Sequence, residues 1–150
     1  VPSKGQLLLY KLLGQIFPNE TLLMNHKLSF HGLSSPLEID VYLPQLNVGF
    51  EYQGEYHYQW NYLYGSPTLV QNRDNQKKAA CAELKITLID IPFWWDRRLP
   101  SLVATIEQCK PGLVPSHLLS KAPPLSQDIP ANILKRIQHA ENKRQALQST

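Results

Sequence analysis

Cysteine, methionine and glycine are scarce in this chain: two, one and seven residues among 150. Cys81 and Cys109 have neither metal-ligand spacing nor the density of a disulfide scaffold. Neither a zinc site nor a stapled mini-protein is therefore expected, and the pair reads as reduced core thiols of an intracellular protein. No run of 18 or more apolar residues occurs, so no membrane-spanning helix and no membrane partner are expected. Charged residues make up only 18%, and against 43% hydrophobic residues this excludes broad disorder. No internal repeat or low-complexity tract is present. A chain of 150 residues supports a single sizeable core. It opens on Val1-Pro2-Ser3-Lys4-Gly5-Gln6, without an initiator Met or a signal-peptide core, and so reads as a fragment excised from a longer protein.

The net charge of +3 is unevenly placed. Residues 1–110 hold ten Lys/Arg and ten Asp/Glu, whereas residues 111–150 hold Lys121, Lys135, Arg136, Lys143 and Arg144 against Asp128 and Glu141. A basic tail beside a neutral body is compatible with a polyanionic partner, although an ordinary solvated helix carries such a surplus too. Five of the twelve prolines fall between positions 111 and 130 and mark an extended linker lying on or beside the body. The organisation is thus a body over residues 1–110, then a Pro-rich linker and a basic C-terminal helix over residues 111–150. Pro130 sits near the first turn of that helix, which has a thin apolar stripe of Ile133, Leu134, Ile137, Ala140 and Leu147.

The body reads as helix, strand, strand, strand, helix, strand, helix. Ser3 caps a first helix that ends before Pro18. A first strand falls within residues 21–30. Leu37, Ile39, Val41 and Leu43 then point one way, and Glu38, Asp40 and Tyr42 the other. After a connection of about four residues, Val48, Phe50 and Tyr52 alternate with Gly49, Glu51 and Gln53, which predicts an antiparallel hairpin. Leu69 to Leu84 is helix-like, residues 85–91 are a β-branched strand, and residues 99–109 form a last body helix. The fold class is α/β, a mixed central sheet flanked by helices.

The hairpin holds the informative residues. Asp40 lies on the polar face of one strand, and Glu51 and Gln53 share the polar face of its neighbour, where paired residues stand a few ångströms apart. Two carboxylates converging beside a backbone carbonyl make a hard, oxygen-rich site suited to Mg²⁺ or Mn²⁺. Gln53 would stand where it can orient a water, which completes a set of parts for metal-assisted phosphodiester hydrolysis. An Asp and a Glu on a hairpin are also common as simply solvated residues. Six rings between Tyr52 and Tyr64 either stack on unpaired bases or pack under a loop. Trp94-Trp95-Asp96-Arg97-Arg98 is expected to cap the end of the central strand, with one Trp buried and Arg97 and Arg98 free to meet phosphates.

The pattern Ile39-Asp40, then Glu51-Tyr52-Gln53, resembles the PD-(D/E)xK nuclease superfamily, whose restriction-endonuclease-like fold has an αβββαβ core. The run from Phe50 to Tyr58 is similar to the E-x-x-G-x-x-H segment of the very-short-patch-repair-like branch. Arg73-Asp74…Lys77-Lys78 and Ile91-Pro92-Phe93-Trp94-Trp95 follow in the order found there. The resemblance covers roughly residues 3–108. It implies a divalent-metal-dependent endonuclease, a hydrolase that cuts DNA, with Asp40, Glu51 and the main-chain carbonyl of Tyr52 holding Mg²⁺ or Mn²⁺. Gln53 would position the attacking water, Lys77 or Lys78 would offset charge on the phosphate, and His57 would meet a phosphate or protonate the leaving oxygen.

Two departures stand out. Gln53 occupies the position of the usual Lys, and Gln6 that of a Glu which many relatives carry on the first helix. They favour an alternative, a nucleic-acid-binding module that kept the fold without a working site. A protein-interaction domain is a third reading. Lys77 and Lys78 also stand at helical ion-pair spacing from Asp74. The neutral body is poorly equipped to grip a long duplex, so help is expected from the tail, a homodimer partner or another domain.

Overall fold

The computed structural model describes residues 2–31, 35–55 and 69–149, with side chains in the last segment described from residue 74 onward. Helix α1 (Lys4–Ile16) starts where Ser3 Oγ accepts the Gln6 N–H at 3.1 Å, and it stops at Phe17 because Pro18 disfavours a helical residue before it. Strands β1 (Leu23–Leu28), β2 (Leu37–Leu43) and β3 (Val48–Gln53) follow, then α2 (Leu69–Glu83), β4 (Thr87–Pro92), α3 (Leu99–Cys109), a 3₁₀ turn (Ser116–Leu118) and α4 (Ala131–Gln148). The fold is α/β with αβββαβ order.

The four strands form one mixed sheet in the order β1-β2-β3-β4, the first two pairs antiparallel and β3–β4 parallel. The hairpin turn between β2 and β3 closes through Asn47, whose positive φ of 53° suits a short polar side chain. A parallel partner for β3 requires a crossover, and α2 lies in that connection. Among the described residues β4 is therefore an edge strand. The expectation of a central strand is corrected here: β3 and β2 take the middle of the sheet.

One face of the sheet carries the main core, where Leu9 and Leu13 of α1 and Leu102 and Ile106 of α3 close over Val41, Phe50 and Ile91. The other face carries a smaller cluster of Ile39, Tyr42, Cys81 and Ile86, on which Leu23, Leu28 and Leu88 pack. Cys81 is buried as expected, but Cys109 is exposed at the end of α3 and is no core thiol. The linker lies on the body. Val114 is buried in the main core, and Leu113, Leu118 and Leu125 pack on it. The Leu125 N–H donates to Thr105 Oγ1 at 2.9 Å.

The strict alternation expected in β2 breaks at Asp40. Val41 and Leu43 enter the main core, yet Ile39 joins the opposite cluster. Its Cγ2 stands 3.0 Å from where a Cβ on Gly49 would be, on the face opposite Val48 and Phe50. Strand β1 changes phase at the same level, since Leu23 and Leu28, five residues apart, pack on one cluster. The β1–β2 register runs Met24↔Val41 and then His26↔Ile39, skipping Asn25 and Asp40. Asn25 has φ 52°, a left-handed conformation that turns the strand over by one residue.

Candidate functional site

The break in the ladder releases Asp40 from strand pairing and gives its polar atoms other partners. Asp40 Oδ2 accepts the Tyr52 N–H at 2.8 Å, and the Asp40 N–H donates to Glu51 Oε2 at 3.4 Å. Behind it, buried Gln6 Nε2 donates to Asn25 Oδ1 at 2.8 Å and to the Asp40 carbonyl at 3.4 Å. Gln6 can reach this point because Gly5 has no side chain: a Cβ there would lie 2.2 Å from the Tyr52 ring. Thus α1 supports Asp40 from one side of the sheet.

Glu51 enters from β3 on the α2 face and is only 5% exposed. Lys77, on the buried side of α2, brings Nζ to 2.5 Å from Glu51 Oε1. Neighbouring Lys78 is exposed and stands apart from the carboxylates, as helical geometry requires of consecutive residues. Burial pushes the Glu51 carboxyl up to about 8, with the nearby Asp40 charge adding to the rise and Lys77 opposing it. Asp40 is also raised by burial, against the lowering effects of the Tyr52 N–H, Glu51 and Lys77. Two buried acids in direct contact resist losing both protons, and one ammonium offsets only one of their charges.

That imbalance fits a divalent cation. The available donors, carboxylate oxygens of Asp40 and Glu51, are hard and suit Mg²⁺ or Mn²⁺. The Tyr52 carbonyl would be a third. A strand residue directs its N–H and C=O to the same side, and the Tyr52 N–H faces Asp40. The recorded β2–β3 register ends at Val41↔Phe50, so Tyr52 lies beyond the paired segment. Among the described residues no group of three His, Cys, Asp or Glu side chains is placed to hold a metal. Remaining coordination positions would fall to water and substrate, a common arrangement for Mg²⁺.

Gln53 is brought to a residue that sequence reasoning passed over. Its Nε2 donates to Asp90 Oδ1 at 3.2 Å, across the parallel pair in which Glu51 faces Asp90 and Gln53 faces Pro92. With Nε2 as the donor, the contact fixes the amide and turns Gln53 Oε1 away from Asp90 as an acceptor. The available signal was Asp90 itself, a lone acid between Ile89 and Ile91 in an apolar strand.

No family model matches the chain, and no solved structure matches it. Relatives by sequence are viral. The chain is 35% identical over 77 residues to uncharacterized protein 094L of Frog virus 3 (isolate Goorha), covering 45% of this chain and 50% of that protein. It is 36% identical over 61 residues to uncharacterized protein 307L of Invertebrate iridescent virus 6, covering 38% of this chain and 31% of that protein. It is 34% identical over 61 residues to uncharacterized protein 033L of Invertebrate iridescent virus 3, with the same coverage. The chain matches half or less of each relative's length.

The other expected contact residues come from other elements. Arg97 and Arg98 are exposed on the loop after β4, and Arg98 precedes α3, where its N–H donates to Asp96 Oδ1 at 3.1 Å. Trp95 is the buried tryptophan, and its Nε1 donates to the Arg98 carbonyl and to Ser101 Oγ, both at 3.1 Å. His57 and the rings from Tyr56 to Tyr64 lie outside the described residues. No described helix is long and apolar enough to cross a membrane.

Proposed function

We propose that this chain is a divalent-metal-dependent nuclease of the PD-(D/E)xK superfamily that hydrolyses DNA phosphodiester bonds inside a cell. The supporting observation is the trio of half-buried Asp40, buried Glu51 and half-buried Lys77, in which a lysine from α2 stands on the second carboxylate although position 53 carries none. Asp40, Glu51 and the Tyr52 carbonyl would hold Mg²⁺ or Mn²⁺. When bound, the ion would acidify a water and offset charge on the scissile phosphate. Gln53 Oε1, fixed by Asp90, would accept a hydrogen bond from the attacking water and orient it. Lys77 would stabilise negative charge developing on the phosphate oxygens. His57, Lys78, Arg97 and Arg98 would contact the nucleic-acid backbone, with a dimer partner or further domain extending the grip.

The non-catalytic binding module remains the second reading, favoured by the engagement of the Gln53 amide with Asp90. Labelled single-stranded, duplex and branched DNA and matching RNA, incubated with Mg²⁺, Mn²⁺ or EDTA, separate the two. Metal-dependent cleavage of DNA that is lost in Asp40→Ala is the expected result. Salt-sensitive binding without cleavage on any substrate would transfer the assignment to the binding module.

A further inference from the structure

The last helix has two opposed faces. Ile137 and Glu141 are buried, Ile133 and Leu134 half-buried, and together they form the stripe turned toward the protein. Lys135, His139 and Lys143 follow one another at i, i+4 and i+8 and are all exposed, which places them in one row on the other side. The only acid of α4 is Glu141, whose carboxylate accepts from Arg144 within the helix. The exposed row is therefore positive and carries no acid of its own helix.

The helix is also tied to the end of the sheet where the site lies. Arg136 donates to Glu55 Oε1 at 2.9 Å, two residues past Gln53, and its guanidinium lies 5.9 Å from the Phe93 ring centre. Phe93 directly follows β4, and Trp94 Nε1 donates to the Ser126 carbonyl at 3.0 Å in the linker. These contacts anchor α4 beside the loop that carries Arg97 and Arg98. The rest of the chain supplies no surplus positive charge, since residues 1–110 balance to zero.

We propose that the Lys135–His139–Lys143 face of α4 binds the phosphate backbone of the duplex DNA on which the site acts. The choice of DNA as the polyanion rests on the nuclease reading. Contacts to phosphate, with no reading of base edges, would give affinity without sequence preference.

Binding of a labelled DNA duplex to the full chain in EDTA, across a salt series, tests this. Each lysine that neutralises one phosphate contributes a slope of about 0.9 in log Kd against log salt, or about eightfold in affinity near ~0.1 M salt. The Lys135→Gln/Lys143→Gln pair is expected to lose about 1.8 of that slope, whereas Lys4→Gln/Lys11→Gln, which removes the same charge from exposed positions of α1, leaves binding unchanged. Equal losses in both pairs, no duplex binding by the unaltered chain, or capture by anionic phospholipid vesicles in place of duplex would each overturn the proposal. Parallel cleavage with Mg²⁺ keeps the two readings apart. Cleavage with α4-independent binding sinks the interface alone, and α4-dependent binding without cleavage sinks the nuclease alone.

Discussion

A carboxyl buried against a second carboxyl keeps its proton to higher pH than it would in water, and Glu51 does so up to about pH 8. In the unfolded chain it ionises near 4.5. Between these values the native state holds a proton that the unfolded state has released, so stability falls as pH rises through the window and levels off above it. Thermal melts of metal-free protein from about pH 5 to 9, referenced to Glu51→Gln, should show this decline; a flat difference would contradict it. The proposed Mg²⁺ site requires the ionised pair, so stabilisation by added Mg²⁺ should grow with pH. It should reach about 2.7 kcal/mol at a hundredfold excess over Kd and vanish in Asp40→Ala. Lys77→Met removes the cation facing Glu51. Its cost should be about 1.5–3 kcal/mol in urea melts near pH 9 and small near pH 5, where Glu51 is already neutral. Equal losses at both would mean that Lys77 acts through its packing alone.

At the scale of elements, the phase change shared by β1 and β2 decides where Asp40 sits. Asn25→Val places a β-branched residue at a positive φ, which should straighten the strand. The expected loss is about 1–3 kcal/mol, with a matching loss of metal affinity by titration calorimetry. Unchanged affinity would show that Asp40 holds its place without the break. Gly5→Ala sets helix propensity, which favours alanine by up to ~1 kcal/mol, against a Cβ 2.2 Å from the Tyr52 ring. The overlap should win, giving a net loss of about 1–2 kcal/mol in denaturant midpoint; a gain would mean that Tyr52 swings aside freely. Sequence patterning revealed the hairpin, and it placed α2 and α3 within a residue of their ends, because apolar spacing and flanking prolines act locally. The flip of Ile39 was not legible, since the residues around Asp40 alternate cleanly and the cause lies in Asn25 of another strand. For the same reason the sequence marked Asp40, Glu51 and a choice between two lysines, but not Asp90. Asp90 stood out only as a lone acid in an apolar strand, and a hydrogen bond spanning 37 positions does not show which partner it takes.

At the scale of the whole molecule, the segment after α3 belongs to the core that the sheet and helices build. Ending the chain at Lys110 would remove buried Val114 and the leucines packed around it, uncovering part of Phe50's layer. Burial of one such side chain stabilises by about 1.5–3 kcal/mol, so this truncation should lower the melting temperature by several degrees or prevent folding. Removing only residues 131–150 should be milder, because Ile137 is the one fully buried apolar side chain of α4 among the described residues. Circular dichroism melts of the two shortened chains, compared with the full one, would rank them; the reverse order would place the stabilising contacts in α4.

The two thiols give the molecule a built-in clock. Cys109 is open to an alkylating reagent, whereas Cys81 is sealed between α2 and the sheet in the cluster that adjoins Glu51. Burial and then Asp90 push the Cys109 thiol up, so it labels slowly but without any opening of the fold and serves as the internal standard at fixed pH, while Cys81 labels only as often as α2 lifts from the sheet. The ratio of the two, read by mass spectrometry, times the opening of the wall that carries Lys77, with no probe added to the chain.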